Sequence, residues 1–314
     1  MANRPRWWKE NAIYSETRRT VDRQFLLKPC PEVKNLLGAS AGRALRRYPV
    51  QLYYIEANIN HLQVGRTPLP GQLDNMSKFD QMFYSLVSRG LNRLWNREGP
   101  VWSTKNRSIE CIDDEAAEDR LLYSMANPVK DGLCEKVKHW AKITLSAYSS
   151  LAEGEHERFS YVNWTKWHKE GGLKNPKKPQ QYLEWVELEF QPLPHLAHLP
   201  AHKRQERLRR QLRHFEQAER AKRQKEGRPA MTLTRLLKTD PRQRPGTQPL
   251  RTPMPICHAS SRGAREEYKL QWKEFMNYYI QSSARYRRGF SEAEFPDGSF
   301  RPPLTTVYET TMLC

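Results

Sequence analysis

Residues Tyr14 to Arg19 read as a short strand, and the turn-forming Lys28-Pro29-Cys30-Pro31 separates it from a helix with Val33, Leu36, Leu37, Ala44 and Leu45 on its apolar face. Val50 to Ala57 is dense in β-branched and aromatic residues, the composition of a strand. Asn58-Ile59-Asn60 favours a turn and His61 to Val64 alternates again, so two strands pair across or near this point. From Ser77 the spacing of Phe79, Met82, Phe83, Leu86, Leu91 and Leu94 predicts a helix ending near Asn96, and Trp102 with Ser108 to Ile112 predicts a further strand pair. Asp113 or Asp114 then caps a helix that buries Ala117, Leu121, Leu122 and Met125 and is stopped by Pro128. The order strand, helix, strand, strand, helix, strand, helix predicts an α+β fold: a ferredoxin/RRM-like antiparallel sheet with helices mainly on one face.

Beyond about residue 150 the pattern changes. Ser160 to Trp167 and Tyr182 to Phe190 carry aromatics, and Leu208, Leu212, Phe215, Ala218 and Ala221 form a narrow stripe on a long, otherwise charged helix ended by Gly227. Residues 228–262 are rich in Pro, Arg and Thr and read as a linker or extended arm. Trp272, Phe275, Tyr278, Tyr279, Ser282, Ser283 and Tyr286 imply one more helix whose aromatics pack in a core. The expected organisation is an α+β domain over 1–150, an extension with an Arg-rich helix over 151–227, the arm over 228–262, and a C-terminal helix and tail over 263–314, so that the extension is mostly helical.

Charge narrows the function. Lysine and arginine number 53 against 35 aspartates and glutamates, a net charge of +18, and mean hydropathy is −0.87. Such a field attracts polyphosphate. An acidic membrane surface would call for a long apolar span or a helix with a large apolar face, and the sequence has neither. Cys30, Cys111, Cys134, Cys257 and Cys314 are odd in number and widely spaced, which argues against a disulfide framework or zinc ribbon. The N-terminus has charge but no apolar core of a secretory signal, so a cytoplasmic, nucleoid-associated location is expected.

Two segments concentrate polar chemistry: Asn58-Ile59-Asn60-His61-Leu62 and Leu121 to Leu133. In the second, Tyr123 and Asn127 are four apart and share a helix face, so a phenol and an amide can address one site. Arg18, Arg19 and Arg23 near the first strand, and Arg207, Arg210 and Arg213 on the long helix, are candidate phosphate contacts, although a run of charge on a helix also serves simply as a solvated face. Trp7 and Trp8, beside Arg4 and Arg6, either stack on unpaired bases or pack on the domain.

In the order and spacing of several short stretches the chain resembles the REP-associated tyrosine transposases, relatives of the bacterial single-strand transposases with an HUH motif. The stretches are Thr17-Arg18-Arg19-Thr20, Arg23 to Leu27, Asn58 to Val64, Leu91-Asn92-Arg93-Leu94-Trp95, Trp102, Tyr123 to Leu133, and Phe295-Pro296-Asp297-Gly298-Ser299-Phe300. The resemblance implies that Tyr123 is a nucleophile that attacks a DNA phosphodiester, leaving a 5′-phosphotyrosine and a free 3′-hydroxyl. A phenol of pKa about 10 is a weak nucleophile, so this chemistry needs a polarised phosphate. The family holds Mg²⁺ or Mn²⁺ for that purpose with two histidines and the polar residue one turn after the tyrosine. Aligned on Asn58 and Leu62, those ligands fall on Ile59, His61 and Asn127. Isoleucine has no lone pair, and Glu56 and Asn58 are the nearby oxygen donors that would have to compensate.

Three functions follow. The first is a transposase-like protein that binds hairpin single-stranded DNA, monomeric or homodimeric, with metal-dependent nicking impaired. The second is a catalytically inactive DNA- or RNA-binding subunit of a larger nucleic-acid-processing complex. The third is a structural partner of another nucleic-acid enzyme, with the C-terminal extension as contact surface.

Overall fold

The computed structural model describes residues 5–103, 107–174, 177–246 and 254–303. Arg4, Cys314 and residues 247–253 of the expected arm lie outside them. Strand β1 (Ile13–Arg19) leads to helix α1 (Pro31–Arg47), β2 (Val50–Ala57) and β3 (His61–Pro68) form a hairpin, and α2 (Asp74–Leu94) returns the chain to β4 (Arg107–Cys111). The sheet order is β2-β3-β1-β4 and every neighbouring pair is antiparallel. This is the ferredoxin-like α+β arrangement that the periodicity predicts.

Strand parity divides the chemistry between the two faces. Glu16, Leu62, Val64 and Arg66 point toward α1 and α2, while Ser15, Thr17, His61 and Gln63 point to the other face, where α3 (Asp114–Lys130) lies across the sheet. Asp113 caps α3 by accepting from the Ala116 N–H at 2.8 Å. Pro128 does not stop this helix, which continues to Lys130. Proline interrupts only the bond to the carbonyl four residues back, and this close to the C-terminus one missing bond is tolerated. The chain leaves the helix through Gly132, at φ 70°. Among the described residues, Trp102 likewise belongs to no strand; it makes an isolated bridge to Thr20 rather than pairing with β4.

Gly65 is dictated by a close approach. A Cβ there would lie 2.0 Å from the Tyr54 ring, which crosses β3 to donate its hydroxyl hydrogen to Ser15 Oγ at 2.9 Å. Gly65→Ala is therefore expected to cost about 1–3 kcal/mol in urea unfolding, as overpacking does; an unchanged midpoint would contradict the ring placement.

Downstream, α4 (Val137–Ile143) and a single π-helical turn (Tyr148–Glu153) run beside β2, where Trp140 Nε1 donates to the Ala57 carbonyl at 2.9 Å. Strand β5 (Glu157–Val162), helix α5 (Trp164–Lys169) and strand β6 (Leu183–Leu188) follow, and β5 pairs antiparallel with β6. Their hairpin presses on α1 at Gly38 and Gly42, where a Cβ would meet Phe159 at 2.4 Å and Val186 at 2.6 Å. Thus α1 is buried on two faces. Helix α6 (Ala201–Lys225) packs along α3, and α7 (Leu233–Lys238) and α8 (Arg262–Arg287) complete the mostly helical C-terminal part. In the described parts of 228–262, Leu236 and Cys257 are buried against the rest of the protein. Trp7 stacks on Phe275 of α8 at 4.5 Å, and Trp8 packs edge-on against Tyr14 at 4.7 Å, so the tryptophan pair is used in packing.

Candidate nucleic-acid interface

Three segments converge on the sheet face beneath α3. The β2–β3 turn is fixed by main-chain bonds: Thr20 N–H donates to the Asn60 carbonyl at 2.9 Å and Leu27 N–H to the Ile59 carbonyl at 3.0 Å. The loop after β1, which meets this turn through Thr20 and Leu27, carries Asp22 and Arg23 at positive φ (50° and 57°), a region that non-glycine residues enter at a cost and that a rigid surround must hold. Helix α3 supplies Arg120, Tyr123, Asn127 and Lys130, spaced three, four and three residues apart and therefore on one face. Between these elements lies a cleft of about 870 Å³, lined also by Arg19, Arg23, Ile59, His61 and Gln63.

His61 and Asn127 come into direct contact. Asn60 Oδ1, which can only accept, is 2.9 Å from His61 Nδ1, so Nδ1 carries the proton. Nε2 is left as an acceptor and faces the Asn127 and Asn58 amide nitrogens at 2.9 and 3.1 Å. Burial, reinforced by the Arg19 charge, lowers the imidazole pKa to about 4. His61 is therefore neutral through the physiological range. Its folded value lies below its ordinary 6.5, so it contributes stability that is complete above pH 6.5 and is lost as pH falls toward 4. Stability measured across that window is expected to fall less steeply in His61→Gln; an identical acid limb would contradict the half-buried, neutral imidazole.

This donor set does not fit a divalent cation. Ile59 contributes no lone pair, the one imidazole lone pair is already met by two amide groups, and burial pushes the Glu56 carboxyl well above its usual range, against the charged form that a cation would need. Among the described residues no three His, Cys, Asp or Glu side chains gather as a metal group. Mg²⁺ and Mn²⁺ favour several oxygen donors with charge among them, and a neutral imidazole bonded to amides offers neither.

Tyr123 faces the cleft under two cations. Lys130 Nζ donates to its hydroxyl at 3.1 Å, and Arg120 Cζ stands 4.7 Å from the ring centroid. Among the described residues Arg19, Arg23, Arg120, Lys130 and Arg228 line the cleft against one acid, Asp131, whose carboxyl is pushed up by burial despite Lys130 and Arg19. Such a surface attracts phosphate by field and offers the forked donors that suit it.

The other expected arginines are used differently. Arg18 has the opposite strand parity from Arg19 and lies over the Tyr84 ring at 4.1 Å, on the α2 side of the sheet. Arg207 makes a two-pronged bond to Glu118, 2.8 Å at each oxygen, which clamps α6 to α3. Although burial pushes the Glu118 carboxyl up, its bonds from Arg207, Gln211 and His195 hold it below the ordinary carboxylate range. Arg210 and Arg213 are exposed on α6, and the cleft lining includes neither.

Arg120, Lys130, Arg228 and His258 were not anticipated. The first two share the helix face of Tyr123 and Asn127, a spacing visible in the sequence. Arg228 and His258 reach the cleft only because the described parts of 228–262 fold back. Met231 N–H donates to the Gly132 carbonyl at 2.8 Å, Phe25 N–H to the Gln243 carbonyl at 3.0 Å, and His258 N–H to the Glu110 carbonyl at 2.8 Å.

No protein-family profile matches the chain, and no curated protein matches it. Among solved structures it is similar to a REP-associated tyrosine transposase bound to a REP hairpin, with 15% identity and a TM-score of 0.40, over 49% of this chain and 86% of that one.

Proposed function

We propose that the protein binds structured single-stranded DNA in the cleft between the sheet and α3, in the manner of a tyrosine transposase whose metal-dependent nicking is impaired. The observation that carries the reading is the convergence of Tyr123, Asn127 and His61 with five cationic side chains on one concave surface. The motif order from Thr17 to Leu133 supports the transposase affinity. A strand entering the cleft meets Arg120 and Lys130 beside the phenol, so a phosphate held there is neutralised by side chains of the chain itself. The bonds on His61 Nε2 favour the binding function over cutting, because an imidazole engaged by two amides is not poised to ligate.

Incubation with hairpin DNA in Mg²⁺ or Mn²⁺, followed by denaturing electrophoresis, is expected to yield no covalent adduct while binding persists at low salt. An adduct that vanishes in Tyr123→Phe would overturn the impairment. Absence of binding at low salt would overturn the function as a whole.

A further inference from the structure

A second concentration of positive charge lies on the opposite side of the sheet. Arg43, Arg46 and Arg47 sit within one turn of α1, and Arg89 and Arg93 are one turn apart on α2. The two helices approach closely here, since a Cβ on Gly90 would lie 2.3 Å from Leu36. Two of the guanidinium groups rest on aromatic rings of the β5–β6 region. Arg43 Cζ is 4.2 Å from the Tyr161 centroid, and Arg93 Cζ is 4.2 Å from that of Trp164. Arg46 Nη2 donates to the Trp185 carbonyl at 3.4 Å.

None of the five arginines forms an ion pair with a described residue. The acid beside them, Glu184, is occupied by the Tyr161 hydroxyl at 2.5 Å and Asn163 Nδ2 at 2.8 Å. Burial, and with it the like charges of Arg89 and Arg46, outweighs the opposing pull of Tyr161 and Glu184 and pushes the Arg43 guanidinium below its ordinary value. Five cations crowded beside one nearby carboxylate, Glu184, whose charge acts on Arg43 and Arg46, still repel one another, and a polyanion laid across the helices would relieve that repulsion. Arginines resting on rings are held in fixed directions, which suits a regularly spaced row of phosphates.

We propose that this α1–α2 arginine face is a second nucleic-acid surface, which holds the phosphate backbone independently of the Tyr123 cleft. It shares with the cleft reading only the class of ligand. The sheet separates the two surfaces, so a long strand can occupy both while a short hairpin in the cleft leaves this one empty.

The test uses the full-length protein with Arg46→Gln, Arg89→Gln and Arg93→Gln combined, all three side chains being exposed. Arg120→Gln with Lys130→Gln serves as the cleft counterpart. Fluorescence anisotropy with labelled oligothymidylate across a salt series is expected to show a slope of log K against log salt shallower by about 2 in the triple variant, at about 0.7 for each phosphate no longer neutralised. A short hairpin should bind the triple variant as it binds the unsubstituted protein. An unchanged slope on oligothymidylate would overturn the second surface; with hairpin binding weakened in the cleft variant, the cleft reading would still stand. A shallower slope in the triple variant beside unweakened hairpin binding in the cleft variant would sustain the second surface and remove the cleft. Loss of polyglutamate binding with oligothymidylate binding intact would replace the nucleic acid by an acidic protein partner and overturn the proposal.

Discussion

Arg66→Met is expected to lose about 3–5 kcal/mol of folding stability, the cost of leaving buried charges without their partner. Arg66 is fully buried between β3 and α2, where Nη2 donates to Glu16 Oε2 at 2.6 Å and to Asp80 Oδ2 at 2.8 Å. Tyr84 completes the group by donating to Glu16 Oε1 at 2.5 Å. Burial raises the Asp80 pKa to about 7 even beside Arg66, whereas Glu16, equally buried, is held below its ordinary value by Arg66 and Tyr84. Removing the guanidinium leaves two carboxyl groups in an apolar setting, and both must take up protons to remain there. Their folded pKa values then stand above the unfolded ones, so the variant's deficit should shrink as pH falls below neutral and grow as pH rises. Urea unfolding at two pH values checks both parts. A loss under about 1 kcal/mol, or a deficit that deepens in acid, would contradict the buried network.

Neutralising the cleft should have the largest effect on binding. Arg23→Gln, Arg120→Gln and Lys130→Gln combined are expected to weaken hairpin binding roughly 100-fold near physiological salt, at about 1 kcal/mol for each solvent-accessible charge pair removed. The salt dependence should flatten at the same time, because a variant that neutralises fewer phosphates releases fewer counterions. The fold should survive, since Arg120 and Lys130 lie on the open face of α3 and neither forms an ion pair among the described residues. Equal binding by the variant and the unsubstituted protein would move the interface elsewhere.

The sheet and its first helices are legible from local composition and spacing, even though the strands are buried on both faces. Val50 to Ala57 is dense in β-branched and aromatic residues, His61 to Val64 alternates, and Phe79, Phe83, Val87 and Leu91 recur at helical spacing along a face that is buried throughout. What local pattern misses is set by distant contacts. Gly38 and Gly42 look like weak points of a helix until Phe159 and Val186 press on them. Pro128 looks like a stop because propensity carries no information on how few bonds remain to break.

The candidate site divides the same way. Tyr123 and Asn127 share a helix face by spacing alone, and extending that spacing backward and forward reaches Arg120 and Lys130. Arg18 and Arg19 are adjacent in sequence yet serve opposite faces, a consequence of strand parity that composition does not reveal. Arg207 reads as surface charge until Glu118 is placed opposite it. Arg228 and His258 depend on the return of a proline-rich segment whose path no short-range rule predicts.

Photocrosslinking tests the cleft most directly. A hairpin carrying 5-iododeoxyuridine in its unpaired foot, irradiated with the full-length protein and mapped by mass spectrometry, is expected to attach to the α3 peptide that contains Tyr123 or to the β2–β3 turn around His61, and to lose that attachment in the Arg23, Arg120 and Lys130 variant. Crosslinks confined to other peptides, with none in α3 or the turn, would contradict a nucleic-acid interface at this cleft.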